Sequence, residues 1–248
     1  QTYSRFIPTS LVSQLATRSG VVEIPTDCTH MLRLYLKFYS LSGKKFTPLV
    51  GQTLEDMGYD QTYSLKPKRH IRAVSDLDAV MRVIDDTHIE LRESVVFDFG
   101  ALGKGYAVEL IKTYLEKQGV KRFLVNGSGD IAYTGNNELI TVGLEHPLDT
   151  SKVIGSIEIR NGAMCSSGAN RRAWGPYHHI IDPQLLTSPT DILATWVIAD
   201  SATIADALAT ALFLCPPESF SATYAFEYCI LNKEMKVKRS AGFSATLY

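Results

Sequence analysis

The sequence predicts an α+β fold, a single domain in which helices are set between groups of strands. Three observations predict it: apolar residues recur at helical spacing through much of the first sixty residues, short β-rich runs dominate from Ile71 onward, and two strongly helical segments, 103–117 and 201–214, separate those runs. Thr9 or Ser10 caps the first helical segment, which carries Leu11, Val12 and Leu15 and stops at Gly20. The second begins at Thr26 or Asp27 and sets Met31, Leu32, Leu34, Tyr35, Phe38 and Tyr39 on one broad apolar face. Phe46-Thr47-Pro48-Leu49-Val50-Gly51 follows, then the aromatic turn Gly58-Tyr59-Asp60, and Lys66-Pro67-Lys68-Arg69 reads as a solvated loop. Strands are expected at 81–84, 88–91 and 94–97. In the 103–117 helix, Ala107, Leu110, Ile111, Tyr114 and Leu115 repeat at helical spacing, and Gly119 ends it. Further strands are expected at 122–125, 140–144, 153–159, 178–181 and 193–198. The 201–214 helix stops at Pro216-Pro217, and 226–231, 235–238 and 243–247 close the chain as strands joined by polar turns.

Composition narrows the function classes. The 248 residues are 45% hydrophobic and 21% charged, ordinary for a globular chain, and the formal net charge of −1 offers nothing to hold nucleic acid or a membrane by charge alone. No apolar run approaches the roughly 18 residues that span a bilayer. Cys28, Cys165, Cys215 and Cys229 are far apart and lack the CxxC spacing of a zinc site, so they read as buried free thiols. Free thiols lean toward a reducing, cytoplasmic compartment; the alternative is an extracytoplasmic lipoprotein whose signal or anchor lies upstream of Gln1.

Three clusters could carry chemistry. Asp98-Phe99-Gly100-Ala101-Leu102-Gly103-Lys104-Gly105-Tyr106-Ala107 is a strand end, a Gly-rich turn and the first turn of a helix. Such a turn offers backbone N–H groups and the positive end of the helix dipole, with Lys104 adding a full charge, so it suits phosphate; by itself it reads equally as a structural corner. It is neither a Walker loop nor a dinucleotide fingerprint, because Gly105 follows Lys104 and the glycines fall at 100, 103 and 105. Asp206 and Thr210, four apart in a small apolar helix, point their oxygens from one face and suit a hard cation such as Mg²⁺, which keeps waters and takes substrate phosphates. The competing reading pairs Asp206 with a cationic side chain and bonds Thr210 back to its own helix. His178-His179-Ile180-Ile181-Asp182-Pro183 offers a histidine as base or orienting group, with Asp182 fixing its tautomer, or simply a structural histidine at a strand edge. The loops Asn126-Gly127-Ser128-Gly129-Asp130 and Cys165-Ser166-Ser167-Gly168 follow apolar strands and suit backbone approach to a ligand.

Taken in order, these segments resemble the ApbE family of FAD:protein FMN transferases over nearly the whole chain. Ser4-Arg5-Phe6 with Ser10 is similar to the family's "S-R-F-x-x-x-S" segment, Phe46-Thr47-Pro48 to "F-D-P", and Gly58-Tyr59-Asp60 to "G-Y-D". The run 98–107 is similar to "D-L-G-G-I-A-K-G-Y-A", 126–131 to "N-x-G-G-D-I", and Ser167-Gly168 to "T-S-G", while 179–183 matches "H-I-I-D-P" and 205–212 matches "A-D-A-L-A-T-A-L". The resemblance implies one T-fold-like domain over residues 1–248, of mixed and antiparallel sheets packed with helices. The family's N-terminal strand, with its flavin-contacting Met, has no counterpart in residues that begin at Gln1.

It also implies roles. The backbone carbonyl of Ala101 with the side chains of Asp206 and Thr210 would hold Mg²⁺. Asp98 and Lys104 would contact FAD, as would Phe6, the turn Lys45, Phe46 and Thr47, and Ile181. His179 would assist removal of the acceptor hydroxyl proton. The implied reaction cleaves the FAD pyrophosphate, attaches FMN to a Ser/Thr hydroxyl of an acceptor protein and releases AMP. The alternatives are Mg²⁺-dependent FAD hydrolysis to FMN and AMP, and a catalytically weak flavin-binding protein. Several positions depart from the family's pattern. Asp182-Pro183-Gln184-Leu185-Leu186-Thr187-Ser188-Pro189 has no Gly where the family often reads "D-P-x-T-G-x-P", Thr47 replaces the acid of "F-D-P", Leu11 replaces an acid after Ser10, and Cys165 and Ala169-Asn170-Arg171-Arg172 replace the usual residues around "T-S-G-x-Y".

Overall fold

The apolar face written into residues 26–41 becomes the interior of the first part of the chain. In the helix Thr26–Leu41, Cys28, Met31, Leu32, Tyr35, Phe38 and Tyr39 are all buried, and Tyr35 and Phe38 close on the Phe46 ring with centroids 5.3 and 5.0 Å apart. Its cap position is Pro25, which supplies no side-chain bond, so neither Thr26 nor Asp27 caps it. Ser10 caps the helix Leu11–Leu15, its hydroxyl accepting from the Ser13 N–H at 3.1 Å. Gly20, instead of merely stopping that helix, takes φ +85° and opens a strand, Gly20–Glu23, that the sequence reading did not foresee. That strand pairs antiparallel with His88–Leu91, which pairs in turn with Met81–Val83.

The computed structural model describes residues 2–248, and the chain forms two compact units: the chain up to Gly100 with Ala173–Pro189, and Ala101–Arg172 with Thr190–Tyr248. Both are α+β with antiparallel sheets, as the sequence predicts. No helix among the described residues is long and apolar enough to cross a membrane.

Two expected strands of the first unit form differently. Residues 94–97 alternate buried Val95 and Phe97 like a strand, yet they run as extended chain outside any ladder, with the Asp98 N–H on the Pro48 carbonyl at 2.7 Å. The 178–181 run keeps only a short pair, Tyr177–His178 against Ala173–Trp174, after which buried Ile180 and Ile181 leave the sheet. Ile181 packs with Leu54, Met57, Tyr59 and Trp174 instead, so hydrophobic burial and not cross-strand pairing fixes this segment.

The basic stretch is solvated as expected, but it is tethered. Asp56, 1% exposed, accepts from Arg72 Nε at 2.7 Å, Arg72 Nη2 at 2.6 Å, the Arg72 N–H at 3.2 Å and Lys68 Nζ at 2.9 Å. Burial alone would raise the Asp56 carboxyl, but these bonds outweigh it and hold the group well below the usual carboxylate range. A folded-state value below the unfolded one contributes stability above the ordinary carboxylate value, near pH 4, and that contribution is lost as pH falls further. Asp56→Asn is expected to lower the unfolding free energy by about 2 kcal/mol at pH 7. Between pH 5 and pH 2, wild-type stability in urea should fall more steeply than that of the variant; parallel pH profiles would show that the clip contributes nothing.

In the second unit a six-stranded antiparallel sheet runs in the order Val237–Arg239, Glu227–Asn232, Ile192–Ala199, Asn161–Gly168, Ile131–Thr134, Phe123–Asn126. One face packs on a three-stranded sheet of Thr246–Leu247, Val153–Ile159 and Ile140–Glu145, with Met164, Trp196 and Leu231 meeting Leu144, Ile157 and Ile159. The other face carries the helix Ala202–Ala211, which lies on strands 161–168 and 192–199 and beside the helix Gly103–Lys117. Cys165-Ser166-Ser167-Gly168, expected as a loop, is strand: each residue pairs with the 194–197 stretch. The helix 103–117 matches its expected bounds, but its buried face does not. Gly105 and Val108 point inward while Leu110, Ile111 and Tyr114 are 51, 50 and 62% exposed. The close approach of Gly105 to the neighbouring helix fixes the rotation, which turns the larger apolar residues outward.

Candidate functional site

The second unit gathers charged and oxygen-bearing side chains where its two helices meet. A Cβ on Gly105 would lie 2.2 Å from the Ala202 carbonyl oxygen and 2.6 Å from the Asp206 Cβ, so only glycine permits this approach. It lets the Gly105 N–H donate to Asp206 Oδ2 at 2.8 Å, in the first turn of a helix whose cap, Leu102, supplies no side-chain bond. Asp206 is 2% exposed and Asp130, at the end of the Gly/Ser turn, 1%. Lys104 Nζ pairs with the Asp130 carboxylate and lies 3.9 Å from Asp206 Oδ1.

Two buried carboxylates therefore share one ammonium. Burial, then the neighbouring Asp130 charge, pushes the Asp206 carboxyl well above the ordinary range, against the pull of Lys104 and the Gly105 N–H. Burial draws Lys104 down, but Asp206 and Asp130 outweigh it and raise it above an ordinary lysine. Cys165, buried among the same groups, has its thiol raised well above the usual value by burial and both carboxylates, so it remains a neutral S–H that donates to the Ala202 carbonyl at 3.4 Å.

Thr210 lies one turn beyond Asp206. Its hydroxyl is 3.3 Å from Ser167 Oγ and 3.4 Å from the Ala101 carbonyl oxygen, so it reaches across to the Gly-rich turn. Ala101, Lys104, Asp206 and Thr210, a hundred residues apart in sequence, thus converge in one unit, joined by Asp130, Ser167 and Cys165. The sequence offers those three only as members of Gly/Ser loops, with Cys165 also among the buried free thiols; the lone acid ending 126–130 is the available signal. The donor set is hard oxygen with one surplus negative charge. Among the described residues no three or more His, Cys, Asp or Glu side chains group into a cage. Such a set fits an ion like Mg²⁺, which keeps waters and takes ligand oxygens, better than one that demands an all-protein shell.

The first unit holds the other expected residues. Asp98 has both oxygens occupied, Oδ1 by the Gly100 N–H and Oδ2 by Arg5 Nε, each at 2.7 Å. Phe6 lies over the Arg5 guanidinium at 4.2 Å, edge-on to Tyr59 and face to face with Tyr63, both at 5.1 Å. Phe46 is buried in the core, so its side chain serves packing, and the Thr47 hydroxyl accepts from the Leu49 N–H at 3.2 Å to start the next turn. Ile181 is likewise buried.

Lys45 Nζ pairs with Asp182 Oδ2 at 2.8 Å, and Asp182 Oδ1 accepts from the N–H groups of Gln184 and Leu185 at 2.9 and 3.2 Å. Asp182 thus holds its own turn and Lys45. Leu186 takes φ +53°, the left-handed conformation, where the family often has glycine. The two histidines separate cleanly. His178 is buried with Nε2 on the Pro189 carbonyl at 2.7 Å and Nδ1 accepting from the Ile180 N–H at 3.3 Å, and burial lowers its basicity, so it is structural. His179, its ring 6.3 Å away, is half-buried.

Comparison with known proteins adds to this geometry. A model of the ApbE family matches residues 1–228. A Klebsiella pneumoniae protein named FAD:protein FMN transferase is 30% identical over 110 residues, 41% of this chain and 34% of its own length. A Treponema pallidum protein of the same name is 26% identical over 244 residues, covering 83% of this chain and 65% of its own length. The first curated relatives are thus matched over only about a third of their length, as with a Rhodobacter capsulatus relative at 36%. Among solved structures, an ApbE protein from Thermotoga maritima superposes with a TM-score of 0.87 at 23% identity, covering 98% of this chain and 85% of the other. The flavin transferase ApbE from Vibrio cholerae gives 0.73 at 18% identity, with 98 and 84% covered, which establishes the shared α+β fold. A family model that spans nearly the entire sequence decides the assignment: the chain belongs to the ApbE family.

Proposed function

We propose that this protein is a Mg²⁺-dependent FAD:protein FMN transferase, which cleaves the FAD pyrophosphate, joins FMN to a Ser or Thr hydroxyl of an acceptor protein and releases AMP. The observation that carries the reading is the convergence of the Ala101 carbonyl, Thr210 and Asp206 beside Lys104 and Asp130. The names of the relatives supply the reaction class.

Ala101, Asp206 and Thr210 would hold the metal, which when bound neutralises pyrophosphate charge and makes AMP a better leaving group. Lys104 keeps its proton against burial and offers positive charge to the phosphoryl oxygens, and the N–H groups of the helix start add to it. Asp130 holds the Lys104 ammonium in place. Phe6, Lys45, Phe46, Thr47, Asp98 and Ile181 are assigned to the FAD contacts, Phe46 and Ile181 through backbone atoms because their side chains are buried. His179 accepts the proton of the attacking hydroxyl.

The deciding experiment incubates the protein with FAD, with and without Mg²⁺ and a flavin-accepting protein, and weighs all products. The acceptor should gain one FMN moiety only when Mg²⁺ is present, with AMP in equal amount. FMN and AMP formed equally fast without acceptor would replace the transferase with a hydrolase. FAD that survives with both additions would remove the enzyme reading.

A further inference from the structure

We infer that Arg5, oriented by Asp98, is a ligand-binding group that reads the neutral acceptor edge of a planar heteroaromatic ring. The inference rests on the FAD reading above and names a subsite for it. Each Asp98 oxygen already accepts one hydrogen bond, Oδ1 from the Gly100 N–H and Oδ2 from Arg5 Nε. Asp98 thereby orients Arg5 in addition to its own place among the FAD contacts, and the hydrogen-bond donors left over belong to Arg5. Its side chain is 2% exposed, and Nη1 and Nη2 are both sealed from solvent without a hydrogen-bond partner. Glu55 Oε1 lies 3.7 Å from Nη1, beyond hydrogen-bond distance. Buried guanidinium donors left unmade work against folding, and a fold that retains two on one side chain retains them for an acceptor brought from outside.

The charge balance selects the kind of acceptor. Asp98 and Glu55 together outweigh the single positive charge of Arg5, so a phosphate arriving here meets net repulsion. A neutral pair of carbonyl oxygens or ring nitrogens does not, and the fork of two donors suits such an edge. The surroundings match a flat ring. The guanidinium lies 4.2 Å from the Phe6 ring and 5.0 Å from that of Tyr59. Tyr63, 54% exposed, stacks on Phe6 with an interplanar angle of 11°. A planar ligand that displaces Tyr63 takes over a ready aromatic face and turns its edge to Arg5. FAD carries that chemistry in two places, the pyrimidine edge of the flavin and the adenine.

The test titrates riboflavin, adenosine and FAD separately into the wild type and Arg5→Lys, with the melting temperature of each. The lysine keeps a cation to pair with Asp98 but loses the fork. Affinity for FAD and for one of the two fragments should fall by about tenfold or more, the other fragment changing little, and the affected fragment identifies the ring. A variant that binds FAD as tightly as wild type, with only its melting temperature lowered, overturns the inference and leaves the transferase reading standing; an equal loss for both fragments overturns it as well. A wild type that binds none of the three removes both. Should Arg5→Lys fail to fold, Tyr63→Ala decides: removing the displaced ring should tighten the same fragment, and unchanged or weaker binding overturns the proposal.

Discussion

Asp206→Asn is expected to abolish Mg²⁺-dependent consumption of FAD, by a factor of at least about a hundred, while leaving the fold intact or stabilised. The two halves of this expectation have different physical sources. An asparagine Oδ1 still accepts the Gly105 N–H that the aspartate accepts at 2.8 Å, so the junction of the two helices loses no bond. What disappears is one of two buried negative charges competing for Lys104, an arrangement that pushes the Asp206 carboxyl upward and opposes folding. The carboxylate that would bind the cation goes with it. In the wild type, Mg²⁺ should raise the melting temperature by mass action, and in the variant that rise should vanish together with activity. Wild-type turnover in Asp206→Asn, with the Mg²⁺ response of the melting temperature retained, would sink the assignment of Asp206 to the metal.

Much of this cluster could be read from the sequence because its parts are short-range. Asp206 and Thr210 are a single helical turn apart, and 98–107 is a continuous run, so each is legible by itself as a local unit, while joining the two needed the family resemblance. Asp130 and Arg5 were visible only as members of motifs. Their importance comes from partners 26 and 93 positions away, and no local pattern encodes that a buried aspartate will receive Lys104 or that an arginine will donate to Asp98. The same holds for Asp56, whose clip to Arg72 closes over 16 positions.

The errors of fold have the same cause. Ser166, Ser167 and Gly168 are poor strand formers, so 165–168 reads as loop, but pairing with 194–197 overrides propensity. Their small size is what the overlying helix requires: the Cys165 thiol reaches the Ala202 carbonyl and the Ser167 hydroxyl reaches Thr210. Conversely, 94–97 alternates like a strand because Val95 and Phe97 are buried, which periodicity cannot distinguish from pairing. For the helix 103–117, hydrophobic periodicity pointed to Leu110, Ile111 and Tyr114, yet the decisive residue was one with no side chain at all.

That residue yields the second large expected effect. Gly105→Ala should destabilise the protein by about 3 kcal/mol, the upper end for overpacking, because the new methyl meets atoms that cannot swing aside. Its first neighbour, at 2.2 Å, is the Ala202 backbone carbonyl, and its second, at 2.6 Å, is the Cβ of Asp206. Helix propensity works in the opposite direction: alanine in place of glycine within a helix ordinarily gains up to about 1 kcal/mol, so a net loss isolates the steric cost. Relief requires the helices 103–117 and 202–211 to separate, which lengthens the 2.8 Å bond from the Gly105 N–H to Asp206 and shifts Asp206 relative to Lys104. Chemical denaturation should show the midpoint falling with little change in slope, since the surface exposed on unfolding is nearly the same. Activity should fall with it even at temperatures where the variant remains folded, because the shift moves a carboxylate that catalysis needs in place. A Gly105→Ala protein as stable as wild type would mean that the two helices are not held at this distance, and the convergence of Lys104, Asp130 and Asp206 would lose its structural basis.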